Sequence, residues 1–356
     1  MKKIYVILDA MSTGNIPDVR SYLENFVDPD YSLTLSDHYF EHEAHSLNDY
    51  HLKYMLIDLN FIIRFGSKKL TKYHKELIQR VIEANDLGFR IVLYNLWEDS
   101  ENHMKTDIAD LLKKCGVKKF YILSAGKGYF WFYMHRLYQN WHPLIDHSNK
   151  KFDFLYLNKN PRSERKYLFY SLKKTNILDN SLYTWWENFP KQDNSKRIRL
   201  PEEYEVPAYK KDYPVMGLDQ TIHLLPYEHS KINIVTETFC ERKLPIRGFI
   251  TEKLWKPIIC LQPFVVLGYQ HYLKDLKDMG FKTFDSVWNE DYDNASNPYK
   301  RADDIIKLMS KIKDMNSNEL YKQTEQIRVH NRNLFFNYPN MRDRITKDIR
   351  LAFEIY

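Results

Sequence analysis

The residues best equipped for chemistry lie in RGFITEKLWKPIICLQPFVVLGY (247–269), where Thr251-Glu252-Lys253 open an amphipathic helix and a buried strand follows. With Ile250 or Thr251 at the N-cap, the free backbone N–H groups of the first turn, the positive helix end and the Lys253 ammonium converge on one anion. A diphosphate is a natural occupant. The same spacing also suits a capped surface helix with Glu252 and Lys253 solvated, and spacing alone does not choose between the two.

A second concentration is LNKNPRSERKYLFYSL (157–172), read as a strand-to-helix turn. Asn160-Pro161 make the bend, because the residue before a proline avoids the helical region. Arg162, Arg165 and Lys166 then fall in the first helical turns, where a phosphate would sit. Arginine suits that role, since its guanidinium is always charged and can bind phosphate oxygens in pairs. The plainer alternative is a basic, solvated helix start. In FRIVLYNLWEDSEN (89–102), Glu98 lies just past the carboxyl end of a predicted parallel strand, the edge at which open α/β sheets bind ligands. Asp99 and Glu101 compete with it, and each of the three also reads as a surface charge.

Other groupings read more plainly. Asp291-Tyr292-Asp293 imitates an Asp-x-Asp metal motif. His38, His42 and His45, beside Asp37, Glu41 and Glu43, lack zinc-protease spacing and read as a polar loop lining an acceptor cleft. SAGKG (124–128) lacks the full phosphate-loop spacing and reads as a turn. Aromatic and basic residues interleave in YFWFYMHRLYQNWH (129–142), read as a core helix, and in TWWENFPKQDNSKRIR (184–199), where stacking beside cations leaves acceptor binding open.

Positioning these groups requires an α/β framework. IYVIL (4–8), YMLIDL (54–59), FRIVLY (89–94) and KKFYIL (118–123) are predicted strands, alternating with polar stretches of helical period. Tyr73, Leu77, Val81, Ile82 and Leu87 mark one helical face closed by Gly88, and a helix over roughly 104–115 ends at Gly116 in the same way. The polar DHSNKK (146–151) marks a boundary, after which the pattern restarts with KFDFLYL (151–157), a helix from NPRSERKYLFYSLKK, SLYTWW, INIVTE (232–237), PFVVLG (263–268) and FKTF (281–284). Residues 187–230 have no sustained period, and two helical patterns follow at 301–336 and 341–355. The expected domains are 1–150 and 151–336, with a helix in 337–356 packing back on the first.

The chain has 356 residues, 44% of them hydrophobic, 28% charged and 15% aromatic, which fits two folded domains and excludes a disordered chain. Three scattered cysteines exclude a disulfide scaffold and the paired spacing of a structural zinc site. No window reaches the ~18 apolar residues of a membrane span, and the opening apolar run is too short for a signal peptide. A cytoplasmic location is expected, or the host cytoplasm if the chain is viral. The net charge of +6 suits an anionic ligand without demanding nucleic acid.

INIVTET (232–238), FITEKLWKP (249–257) and PFVVLG (263–268), in that order and spacing, resemble the donor-binding domain of the α1,3-fucosyltransferase family and similar phage- and virus-encoded glycosyltransferases. The resemblance implies a GT-B fold: two Rossmann-like α/β domains facing a central cleft, with a nucleotide sugar between them. It gives Glu252 the ribose and Lys253 the diphosphate. It makes Arg165 a phosphate ligand and Glu98 the general base, and places Glu237 and Thr251 in the donor site, with Asn160, Arg162 and Arg247 as weaker candidates. Thr238 stands where the family has Asn. No metal and no cofactor is implied, so the Asp-x-Asp motif receives no role. The reading is a glycosyltransferase acting by inversion on a hydroxyl acceptor, a glycan or a hydroxymethylated base in DNA, with domain closure before transfer. The alternative is a non-catalytic sugar- or nucleic-acid-binding module of the same fold.

Overall fold

The computed structural model describes residues 2–8, 31–36, 52–58, 72–95, 116–117, 120–124, 126–159, 161–187, 197–205, 221–238, 240 and 250–343. The chain folds as two compact units, Met1–Tyr129 with Pro339–Tyr356, and Phe130–Tyr338. The division falls at 129/130 rather than near 150. The reason is that Trp131, Met134 and Tyr138 are core residues of the second unit, the Trp131 indole stacking on Trp255 at 5.9 Å and donating to the Phe335 carbonyl.

The first unit is a parallel sheet of β1 (Lys2–Leu8), β2 (Tyr31–Ser36), β3 (Leu52–Asp58), β4 (Arg90–Asn95) and β5 (Phe120–Ser124), in the order β2-β1-β3-β4-β5. All four strand pairs are parallel, as expected of strands joined by crossovers. Helix α1 (Lys72–Asp86) buries Val81 and Ala84. Gly88 closes it at φ 79°, with Phe89 N bonding back to the Ala84 carbonyl, a left-handed cap that only glycine adopts cheaply. Leu87, expected on the buried face, is 43% exposed because the helix ends one residue before it. The predicted helix at 104–115 lies outside the described residues. SAGKG is not a simple turn: α2 (Gly126–Tyr138) begins at its first glycine.

The second unit carries β6 (Phe152–Leu157), β7 (Ser181–Trp186), β8 (Arg197–Ile198), β9 (Ser230–Thr236) and β10 (Phe264–Leu267), in the order β10-β9-β6-β7-β8. Only β8 runs antiparallel, along the edge. Phe154, Leu155 and Tyr156, Ile232, Ile234 and Val235, and all of β10 are buried, as near-continuous apolar strands covered on both faces must be. The helices are α3 (Ser163–Lys174), α4 (Leu224–His229), α5 (Glu252–Ile259), α6 (Tyr272–Asp278), α7 (Pro298–Lys313) and α8 (Ser317–Phe336). The single pattern expected over 301–336 is two helices, because the Asn316 side chain accepts from Asn318 N and Glu319 N and starts a new one. FKTF is not a strand. Side chains take its backbone N–H groups, Lys282 N donating to Asn331 Oδ1 and Phe284 N to Glu290 Oε1, both at 2.8 Å. Both units are therefore α/β with parallel-dominated, Rossmann-like sheets, the fold class expected. Among the described residues, no helix is long and apolar enough to cross a membrane.

Candidate functional site

In the second sheet the chain leaves β6 toward β7 on one side and later returns to place β9 on the other. The strand order therefore reverses between β6 and β9, and open α/β sheets bind ligands outside the carboxyl ends at that reversal. Asn158, just past β6, joins the two ends, its Oδ1 accepting from Thr236 Oγ1 at 2.5 Å.

Three cationic side chains reach the residues that follow β9. Arg162, at the N-cap of α3, donates from Nη1 to the Thr238 carbonyl at 3.0 Å. Arg165, one turn in and only 3% exposed, donates from Nε to the Glu237 carbonyl at 3.2 Å. Lys253 Nζ donates to Thr238 Oγ1 at 3.4 Å, to Thr251 Oγ1 at 3.2 Å and to Glu252 Oε1 at 2.7 Å. The Thr238 hydroxyl is thus in contact with Lys253.

Thr251 caps α5, its Oγ1 accepting from Lys253 N at 3.4 Å. Glu237 fixes that cap from below. Its carboxylate, 1% exposed, accepts from Thr251 N at 3.0 Å, Thr251 Oγ1 at 2.7 Å, Tyr272 OH at 2.8 Å and Thr238 N at 3.4 Å. Burial pushes the Glu237 pKa up, opposed by the Lys253 charge and the Thr251 hydrogen bonds. Burial also works against charge on Glu252, but there Lys253, by charge and hydrogen bond, outweighs it and holds the carboxyl below its usual range. Glu237 is thus an internal strut joining the end of β9, the start of α5 and the start of α6.

The structure brings Arg162, Arg165, Glu237, Thr251, Glu252 and Lys253 together. Glu98, Asn160 and Arg247 lie outside the described residues, as do Asp99, Glu101 and the His38, His42 and His45 group. The Asp-x-Asp motif forms a short 3₁₀ turn over Asp291–Asn294, in which Asp293 Oδ2 accepts from Leu273 N at 3.0 Å. Among the described residues, no group of three or more His, Cys, Asp or Glu is arranged to hold a metal ion.

Sequence reading missed two supports of the site. Tyr272 fits because residue 268 is glycine: a Cβ there would come within 2.6 Å of the Tyr272 ring. Arg301, 1% exposed, donates to the carbonyls of Gly268, Ala295, Ser296 and Cys240, tying α7 to the ends of β9 and β10. The role of neither has a local signal, because Tyr272 acts on Glu237 and Arg301 on Cys240, both far away in sequence.

No family model matches the chain, and no curated protein matches it. Among solved structures, the chain is similar to a crystal structure of an α1,3-fucosyltransferase, at 12% identity and a TM-score of 0.41, over 99% of this chain and 90% of that one. Likeness at that level carries no argument about activity.

Proposed function

We propose that the chain is a glycosyltransferase that moves a sugar from a nucleotide diphosphate sugar to a hydroxyl acceptor, by inversion and without a metal. The supporting observation is the convergence of Arg162, Arg165 and Lys253 on Glu237 and Thr238, beside a capped helix start at the reversal of strand order. As the bond to the sugar breaks, negative charge grows on the departing diphosphate, and fixed cations there lower the barrier. Arg165 and Lys253 supply that charge, with Arg162 beside them. Glu252, held ionised by Lys253, receives the ribose hydroxyls, while Glu237 and Thr251 hold the helix start in place. Asn160 and Arg247 are secondary donor contacts. Glu98 accepts the proton of the acceptor hydroxyl.

A thermal-shift panel of UDP- and GDP-sugars tests this, with CMP-sugars as a monophosphate control. A ligand at a hundred times its Kd adds about 2.7 kcal/mol of stability. One diphosphate class should raise the melting temperature, Lys253→Ala should remove that shift, and Glu98→Gln should keep it while abolishing transfer. Absence of any shift would leave a non-catalytic binding module as the better description, and full turnover by Lys253→Ala would remove Lys253 from the donor site.

A further inference from the structure

The cationic cluster described above lies at the carboxyl ends of β6 and β9. At the amino ends of the same strands, residues 142–151, within the connection from α2 to β6, are held by a part-buried pair of basic side chains. Lys150 Nζ donates to the carbonyls of Tyr227 at 3.2 Å, Glu228 at 2.6 Å and Ser230 at 3.0 Å, where α4 passes into β9. It also lies 4.3 Å from the centre of the Tyr321 ring on α8. Three carbonyls and a ring face make a cage for a cation.

The fourth partner of Nζ is His147 Nδ1, at 2.8 Å, while His147 Nε2 bonds to the Cys260 carbonyl at 3.0 Å. A carbonyl only accepts, so Nε2 carries the ring proton and Nδ1 of the neutral ring is left to accept from Lys150. A second ring proton would point at the ammonium. The surrounding charges act in the same direction. Lys150 on the same segment and Arg328 on α8 disfavour a charged His147, and only Asp146 opposes them by charge. Glu228 of α4 acts on Lys150 and accepts from Asp146 N at 3.0 Å. Burial pushes the Tyr321 phenol and the Cys260 thiol up, so neither adds charge. Burial, then Lys150 and Arg328, lower the His147 pKa to about 3. Burial and Arg328 lower that of Lys150 to about 6, so it is charged below that pH. Once out of the cage, His147 recovers a pKa of about 6.5. The closed arrangement is therefore fully favoured above about pH 6.5 and loses ground as pH falls toward 3.

We propose that residues 142–151 are an acid-released strap, in which a proton taken up by His147 displaces Lys150 and frees the segment from α4, β9 and α8. Release also undoes two further contacts with α8, the bond from Arg332 to the Pro143 carbonyl and the packing of His142 on Phe336. The proposal does not depend on the nucleotide-sugar reading.

Hydrogen exchange of the full chain tests it, read by mass spectrometry on peptides from 142–151 and corrected for the intrinsic effect of pH. Between pH 6 and pH 4.5, protection of this segment should fall about twenty-fold, the effect of one proton gained on opening. Peptides from β6 and β9 should keep their protection. His147→Gln retains a group that can donate to Cys260 and accept from Lys150 but does not titrate, so its strap should show no such fall. Three results overturn the proposal: unchanged protection across this range in the natural chain, an equal fall in His147→Gln, or an equal fall in β6 and β9. The first and third are read on the natural chain alone, whether or not the variant folds.

Discussion

Glu237 and Glu290 are both buried carboxyls of the second unit, and burial pushes both pKa values up, Glu290 to about 7. They differ in what surrounds them. Glu237 accepts four hydrogen bonds from Thr238, Thr251 and Tyr272, and Lys253 opposes its shift. Glu290 is held through one oxygen while the other is buried without a partner. A carboxylate whose acceptor capacity is used within the chain works as scaffold, and one with an oxygen buried unused does less to hold its neighbours. The difference also assigns the cost of removing each: high at Glu237, low at Glu290.

Glu237→Ala should show the largest effect. It leaves Thr251 N, the Thr251 hydroxyl and the Tyr272 hydroxyl buried without their acceptor, at about 1–3 kcal/mol each before relaxation. We expect a loss of about 4 kcal/mol in urea unfolding, together with loss of any diphosphate-dependent thermal shift. A loss under about 1 kcal/mol would mean that Glu237 is not the strut described, and the contrast with Glu290 would collapse.

The same contrast separates what the sequence shows from what it hides. Apolar runs such as FDFLYL and FVVL locate β6 and β10, because a strand buried on both faces has almost no polar residue to blur it. Thr251 is legible as a cap because its hydroxyl acts on a residue two positions on. β2, YSLTLS, escapes the pattern: its serines and threonine dilute the apolar run, and it pairs only with β1 at the sheet edge. FKTF reads as a strand because Phe281 and Phe284 are apolar, yet they are buried in a loop held by side chains of Asn331 and Glu290. The bond from Tyr272 to Glu237 spans 35 positions and that from Arg301 to Cys240 spans 61, distances at which no local pattern exists. The resemblance groups Glu237 with the donor residues, but its role as a strut depends on Tyr272.

Tyr272→Phe tests that dependence with a smaller change. The ring still fills its place against Gly268, so packing is kept and only the hydroxyl is lost. Glu237 then loses one of its four donors, and stability should fall by about 1 kcal/mol. The carboxylate form of Glu237, already disfavoured by burial, becomes less favoured still. Donor binding, measured against pH, should therefore fail at a higher pH in the variant than in the natural chain. An unchanged acid limb would show that Tyr272 only packs and does not tune Glu237.

The effect at Glu290 shows only as a dependence on pH, and its sign follows from the direction of its shift. Its pKa rises from an ordinary 4.5 to about 7 because burial penalises the charged form, with the nearby Thr283 side chain and the Phe284 N–H opposing. The folded chain therefore holds this proton more tightly than the unfolded chain does. The resulting stabilisation is complete below about pH 4.5, falls as pH rises, and is gone above about pH 7. Glu290→Gln removes the titration while keeping the side-chain shape. Relative to the natural chain, the variant should gain stability between about pH 5 and pH 8, by about 1 kcal/mol after allowance for partial exposure of the side chain. Urea unfolding at the two pH values measures the difference directly. A constant gap between the two chains would mean that Glu290 titrates normally, is solvated in the folded state, and differs from Glu237 by exposure rather than by a buried oxygen left without a partner.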